Sequence, residues 1–451
     1  MRTKSSTIKT TMFTLLLSAL AQVFAQASAQ SPELVKDINV GSNSSQPQFL
    51  TVFDDHLYFG TALYSGLWKT DGTESGTVLA EGAATIGTDY ATTLGVFHDK
   101  LYFNTFSSPA FWSTTGGIDQ AIVVKDQVTS LGGLPYFSPE LNQNIFVFAG
   151  RDHTQPVFQS KLYRSDMTTI GTVSFGNFIS DNNSPTPNLI GAVNNNFLFS
   201  ATETGEGREL YVTQGTTVST GLLKDIKPGS ISGISNVSGS QAATLGNTFY
   251  FPGYKDIGQG LWKTDSTTVG TIEVDNMTVE FSSPNYLNKF NGSLYFFADG
   301  AAPPSQLFRM NANDDEAIPL TSRAFFSDEA CNSYDSMEFN GELYFPFADD
   351  GAGCELWKTD GTLAGTTQVK DINDGDNLHS HPKFLAVFDG WLYFVALKEG
   401  LGFELWKTKG FESNTVLVAD INPGSGSSIS NPQAVVFNDE LYVIANDGVH
   451  G

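Results

Sequence analysis

The chain has 451 residues, with 24 Lys plus Arg against 48 Asp plus Glu, a formal charge of −24. Apolar residues make up 40% and charged residues only 16%, which excludes global disorder. The acidic excess excludes nucleic acid as a partner, because a phosphate backbone needs a basic footprint.

Taken in chain order, the first element is an address. Arg2, Lys4 and Lys9 form a positive region, and the apolar stretch from Met12 to Phe24 follows. Ala27-Ser28-Ala29 supplies a small-residue cleavage pattern, so residues 1–29 read as a secretory signal peptide, with Ala25 as an alternative end point. About 13 apolar residues are too few for a bilayer core that needs roughly 20, and no later segment reaches that length. A secreted, periplasmic or cell-surface location is therefore expected, with no transmembrane segment. The mature part carries 21 basic against 48 acidic residues.

From residue 30 to 451 the sequence repeats. GLWKTDGTESGT (66–77), GLWKTDSTTVGT (260–271), ELWKTDGTLAGT (355–366) and ELWKTKGFESNT (404–415) are copies of one unit, with weaker copies between them. The aromatic anchors are Trp68, Trp112, Tyr163, Tyr211, Trp262, Phe308, Trp357 and Trp406, spaced 44–51 residues apart. A second series, typified by HLYF (56–59) and ELYF (342–345), precedes them and has nine members. Eight units are thus complete and a ninth begins.

Each unit reads as four short strands: an apolar run such as FLTVF (49–53), the LYF strand, the ELW strand, and an outer run such as TQVKDI (367–372). Asn291-Gly292, Asn340-Gly341 and Asp389-Gly390 suit the positive φ angles of type I′ hairpins between the first two strands. Asp71-Gly72 and Asp360-Gly361 mark the hairpin after the ELW strand, and long polar links such as 422–432 join units. Such meanders cannot bury both faces alone. Radial packing solves this, so the fold class is all-β: a β-propeller of about eight four-stranded blades plus a partial ninth. A solenoid would repeat at roughly 20–30 residues.

The unit ELWKTDGTxxGT, followed by VKDI and LYF, resembles the ELWxxDGT repeat family of exported, mainly bacterial, propeller-like proteins. The resemblance covers nearly the whole mature chain and implies no catalytic residues. Units two, three and six have lost the Asp-Gly-Thr turn or the Trp.

The two ends do not match. An orphan outer strand is expected at Leu34–Ile38, while the C-terminal side supplies a first strand (Pro432–Phe437) and a second (Glu440–Ala445), then stops where an ELW strand is due. A truncated chain is the preferred explanation, and unpaired terminal strands would favour self-association.

The candidate site residues are few. Cys331 and Cys354, the only cysteines, fall on the crossover face of unit seven, where a disulfide is expected. Carboxylates recur on that face: Asp37, Asp225, Asp371 and Asp420 after the outer strands, and Glu203, Glu206, Asp299, Asp349 and Asp350 between second and third strands. Oxygen-rich loops can hold Ca²⁺, and Asp371, Asp374, Asp376, Asp349 and Asp350 are its weak candidates; turn-capping is the plainer role. No other cofactor is expected. His379 and His381 form an H-x-H pair that a polar loop would usually leave solvated. The anchor Trp residues read as packing between blades, whereas Trp391, which does not recur, is a candidate ligand contact. No nucleophile, zinc or phosphate-loop string appears.

These features predict a non-enzymatic exported scaffold for binding or adhesion to an extracellular protein or glycan. A polysaccharide hydrolase or lyase and a calcium-stabilised structural module are the alternatives, since propellers host all of these.

Overall fold

The computed structural model describes residues 31–41, 44–61, 66–82, 86, 91–105, 110–126, 128–130, 146–152, 159–166, 168–175, 187–202, 207–234, 241–254, 258–274, 282–299, 305–311, 316–321, 331, 335–349, 353–375 and 378–450. The signal-peptide residues lie outside this set. Residues 35–451 cluster as one compact unit, apart from 1–34.

Eight antiparallel four-stranded sheets follow one another along the chain, each a simple meander, and a two-stranded sheet comes last. Blade one is β1 (Pro47–Phe53), β2 (His56–Thr61), β3 (Leu67–Thr70) and β4 (Val78–Glu81). Blade two spans 91–126, blade three 128–175, blade four 188–224, blade five 243–273, blade six 282–319, blade seven 337–370 and blade eight 383–419. The ninth blade is a first and second strand, Ala434–Phe437 and Glu440–Val443. The eight blades form a propeller ring, as the 49-residue period predicts. In five blades the ladder slips by one residue at the aromatic anchor, as between Leu67 and Trp68 or Leu356 and Trp357. Such a bulge adds twist to the outer edge.

The second strand explains why the sheets need each other. Leu57, Tyr58 and Phe59 alternate across the sheet, yet all three are buried. Both faces are therefore covered, and only a neighbouring blade can cover each. The core accordingly lies between blades: Tyr250 and Leu261 of blade five pack with Leu294, Phe296 and Phe308 of blade six. Likewise Tyr344 and Leu356 of blade seven meet Phe394 and Trp406 of blade eight.

A second interlock uses the tyrosine of the LYF strand. Tyr58 donates a hydrogen bond to the carbonyl of Gly116 in blade two, at 3.1 Å. A Cβ at Gly361 would lie 2.5 Å from the Tyr295 hydroxyl of the preceding blade, so glycine admits the ring. The same holds for Gly72 and Tyr442, again at 2.5 Å. Tyr442 belongs to the ninth blade and Gly72 to the first. Blade nine thus makes to blade one the contact that blades one, six and seven make to their successors, and its first strand packs against those of blades eight and one. Phe49 N–H also donates to Gln433 Oε1 at 2.8 Å.

The expected outer strand at Leu34–Ile38 is not a strand. Its Lys36 ammonium nevertheless donates to the Glu74 and Thr77 carbonyls of blade one. No ELW-type neighbour pairs with this segment, and without a ladder it has no β geometry to adopt.

The Thr-Asp-Gly-Thr-x-x-Gly-Thr string closes its hairpin with side chains. Asp71 Oδ1 accepts from the Thr73 N–H (2.9 Å) and hydroxyl (2.8 Å), and Thr73 Oγ1 accepts from Gly76 N–H. Thr70 and Thr77 hydroxyls meet at 2.7 Å. Blades three, five and seven repeat the arrangement around Asp166, Asp265 and Asp360. Hydrogen bonds from Thr168, Thr267 and Thr362 hold these carboxyls below their ordinary range, which keeps them ionised acceptors. A Cβ at Gly365 would overlap the Asp360 carboxylate. Blade eight has Lys409 in place of that Asp, and there Asn414, at the glycine's position, turns its Oδ1 back to the Lys409 and Phe411 N–H groups. Blade four does the same with Ser219 behind Gln214.

One acceptor is needed, and it comes from either end of the turn but not from both. Gly365→Asn should therefore destabilise the protein by about 1–3 kcal/mol, and adding Asp360→Lys should restore most of the loss. Chemical denaturation of both single variants and the double variant measures this coupling; additive effects would contradict it.

Candidate functional site

Two regions gather the chemistry-bearing residues: the crossover face, and the axis enclosed by the first strands.

On the crossover face the glutamate of ELW is structural. Glu355 is fully buried and accepts from Ile372 N–H (2.8 Å), Ser380 N–H (3.0 Å) and the Ser380 hydroxyl (2.6 Å). Glu404 repeats this with Ile421 and Ser428, and Glu209 with Ile226 and Gly233. Each carboxylate fastens its third strand to the link that leads to the next blade. Burial pushes Glu209 and Glu355 up to about 7, against the N–H donors that favour ionisation. Sequence reading missed these residues. Their signal was a Glu followed 24–25 residues later by Ser or Gly at the start of the next unit.

Cys331 and Cys354 form the expected disulfide, with Cα atoms 5.4 Å apart, and both are buried. Cys354 N–H donates to His379 Nδ1 at 2.8 Å, which fixes the proton of a neutral His379 on Nε2. His381 stands 5.1 Å from it, ring to ring, and burial lowers its pKa. The H-x-H pair therefore buttresses the disulfide strand and is not free in solvent as the sequence suggested.

Of the calcium candidates, Asp376 and Asp350 and the Asp349 side chain lie outside the described residues, as do Glu203 and Glu206. Asp349 and Asp299 are terminal residues of their second strands, with no loop position as expected. At Asp374 a cation is built in: Lys398 Nζ reaches Asp374 Oδ2 (3.2 Å) and the Ile372 carbonyl (2.8 Å), while Asp371 Oδ1 is buried with no hydrogen-bond partner. Asp37 accepts from Gly41 N–H, a turn-capping role. Among the described residues no three His, Cys, Asp or Glu side chains are grouped as a metal site. No helix among them is long and apolar enough to cross a membrane.

The anchor tryptophans pack between blades as expected. Trp68, Trp262, Trp357 and Trp406 bury their indole nitrogens with no acceptor, so nothing is lost where Tyr163, Tyr211 or Phe308 replaces them. Trp391 is half-buried after the Asp389-Gly390 turn, with the ammonium groups of Lys407 and Lys409 over its ring at 4.6 and 4.5 Å.

Around the axis, burial separates the strands of blade one: β2 is closed, whereas β1 is half-buried from Pro47 to Thr51 and exposed at Val52. Lys383–Phe388 in blade eight shows the same pattern. The first strand of blade four, by contrast, is largely buried. First strands of blades eight, nine, one and two neighbour one another, as do those of blades four, five and six, so the exposure in blades one and eight opens onto the axial channel of the ring.

No family model matches the chain, and no curated protein matches it. Solved structures do. A puromycin hydrolase is 13% identical over 82% of this chain and 61% of its own, with a TM-score of 0.39. A prolyl endopeptidase is 11% identical over 88% and 61%, at 0.41. The β-propeller domain of the Trilobed protease from Pyrococcus furiosus, described as having an open velcro topology, is 10% identical over 74% and 99%, at 0.36. The chain thus spans about 61% of the length of the first two. The expectation of a non-enzymatic adhesion scaffold is corrected by this finding, since these propellers belong to hydrolases. At such identities no catalytic residue transfers.

The buried glutamates give a pH dependence of defined sign. Their folded pKa of about 7 lies above the ordinary 4.5. The stability they confer is full below pH 4.5 and is lost as pH rises through 7, by about 1–3 kcal/mol per group. Thermal unfolding from pH 4.5 to 8 should show a falling Tm, with a shallower fall in Glu355→Gln; an unchanged slope in that variant would contradict the assignment.

Proposed function

We propose that this protein is an exported propeller of the hydrolase type, whose axial channel admits an extended polypeptide substrate. The observation that carries the reading is the exposure of the first strands of blades one and eight toward the axis, beside a second strand that in blade one is closed on both faces. On this reading the channel takes an extended chain rather than a folded domain, which is a selection a hydrolase can use. The recurring carboxylates near it are committed to the blades: Asp71 and Asp360 to their turns, Glu209, Glu355 and Glu404 to the crossovers. The propeller's part is therefore recognition and access. The names of the solved peptidase propellers suggest the substrate class, and the segment from Met12 to Ala29 supports export.

Fluorescence anisotropy with a labelled protein in reduced, permanently unfolded form and in folded form tests this. The unfolded form should bind and the folded form should not, with mass spectrometry checking the bound chain for new termini. Equal binding of both forms would contradict the channel reading.

A further inference from the structure

The mouth of the channel on the hairpin face is not uniform. At the position two residues before each first hairpin, Val52, Val96, Val387 and Val436 are 41%, 42%, 43% and 40% exposed. They belong to blades one, two, eight and nine, whose first strands are consecutive neighbours around the ring. Four valines at one register on adjacent strands make a continuous apolar arc. Outside the arc, blades six and seven place Lys289 and Glu338 at that position, blade seven being the neighbour of blade eight.

The turns above these valines differ in the same way. A type I′ hairpin holds both central residues at positive φ, and Asn-Gly satisfies it best. Blades six and seven use Asn291-Gly292 and Asn340-Gly341, and blade four uses Asn194-Asn195. On the apolar arc, by contrast, the turns are Asp54-Asp55, His98-Asp99, Asp389-Gly390 and Asn438-Asp439, all at positive φ. Asp adopts this conformation no better than Asn, so the turn gains nothing from the charge. Five carboxylates are thus placed over four exposed valines, and among the described residues none of the five is ion-paired. Lys69 of blade one donates to the Gly116 carbonyl, and Lys407 and Lys409 of blade eight lie over Trp391.

From this we infer that the arc formed by blades eight, nine, one and two is a docking site for a basic, extended peptide segment that carries aliphatic side chains. The inference rests on the channel reading above and names the substrate class it selects. Aliphatic groups of the segment cover the valines, and its Lys or Arg side chains reach Asp54, Asp55, Asp99, Asp389 and Asp439. Among the described first hairpins aspartates stand only on the arc, which sets the side on which the segment enters.

The test uses the mature chain and three unfolded peptides of equal length and aliphatic content, one basic, one neutral and one acidic, read by anisotropy at low and high salt. The basic peptide should bind about tenfold tighter than the neutral one and lose that advantage in salt. Replacing the five aspartates with Asn, the residue other blades use in these turns, should abolish the preference and leave neutral binding intact. Equal affinity for all three peptides, or an unchanged preference in the Asn variant with an unaltered Tm, overturns the docking site while the channel reading stands. Binding of no peptide overturns both.

Discussion

A β-strand with large side chains on both faces is stable only between two partners. The LYF strands, with Tyr58 and Tyr344 fully buried, impose that condition on every blade. No blade can exist alone, and a row of them leaves two uncovered faces, so the ring is the arrangement that covers every face. At four junctions a tyrosine crosses to the glycine of the next hairpin and fixes the spacing of that pair. Blade nine obeys the same rule through Tyr442 and Gly72 with only two strands. Its inner pair completes the channel wall.

The polar chemistry is largely consumed by this architecture. Side-chain acceptors close the outer hairpins, and buried glutamates hold the crossovers that carry the chain from blade to blade. Residues that recur serve the blade. The departures from the repeat gather at one mouth of the channel. There, positions that elsewhere carry Asn or Gly carry Asp, above valines that stay exposed.

Much of this was legible in the sequence because a repeat reports its own boundaries. The Trp68-to-Trp406 series marked the units, Asn291-Gly292 and Asp360-Gly361 marked their turns, and Cys331 and Cys354 fell within reach of each other. The glutamate network was not legible, because Glu355 and Ser380 belong to different repeats and meet only through the crossover. The Lys398–Asp374 pair was not legible either, because Lys398 lies one strand away in space but 24 residues from Asp374 in the chain. The function expected from composition failed for a related reason: an acidic surface and a missing catalytic string describe the blades and say little about the channel between them.

The most direct test of the account is whether the ninth blade seals the channel between blades eight and one. Spin labels at Val52 and Val436, read by pulsed electron resonance, measure it, with Val52 and Val96 as the reference pair on first strands known to be neighbours. The account predicts a single short separation for Val52–Val436, comparable to the reference. A long or broad distribution would mean that the ring is open there, and would contradict both the enclosed channel and the arc at its mouth.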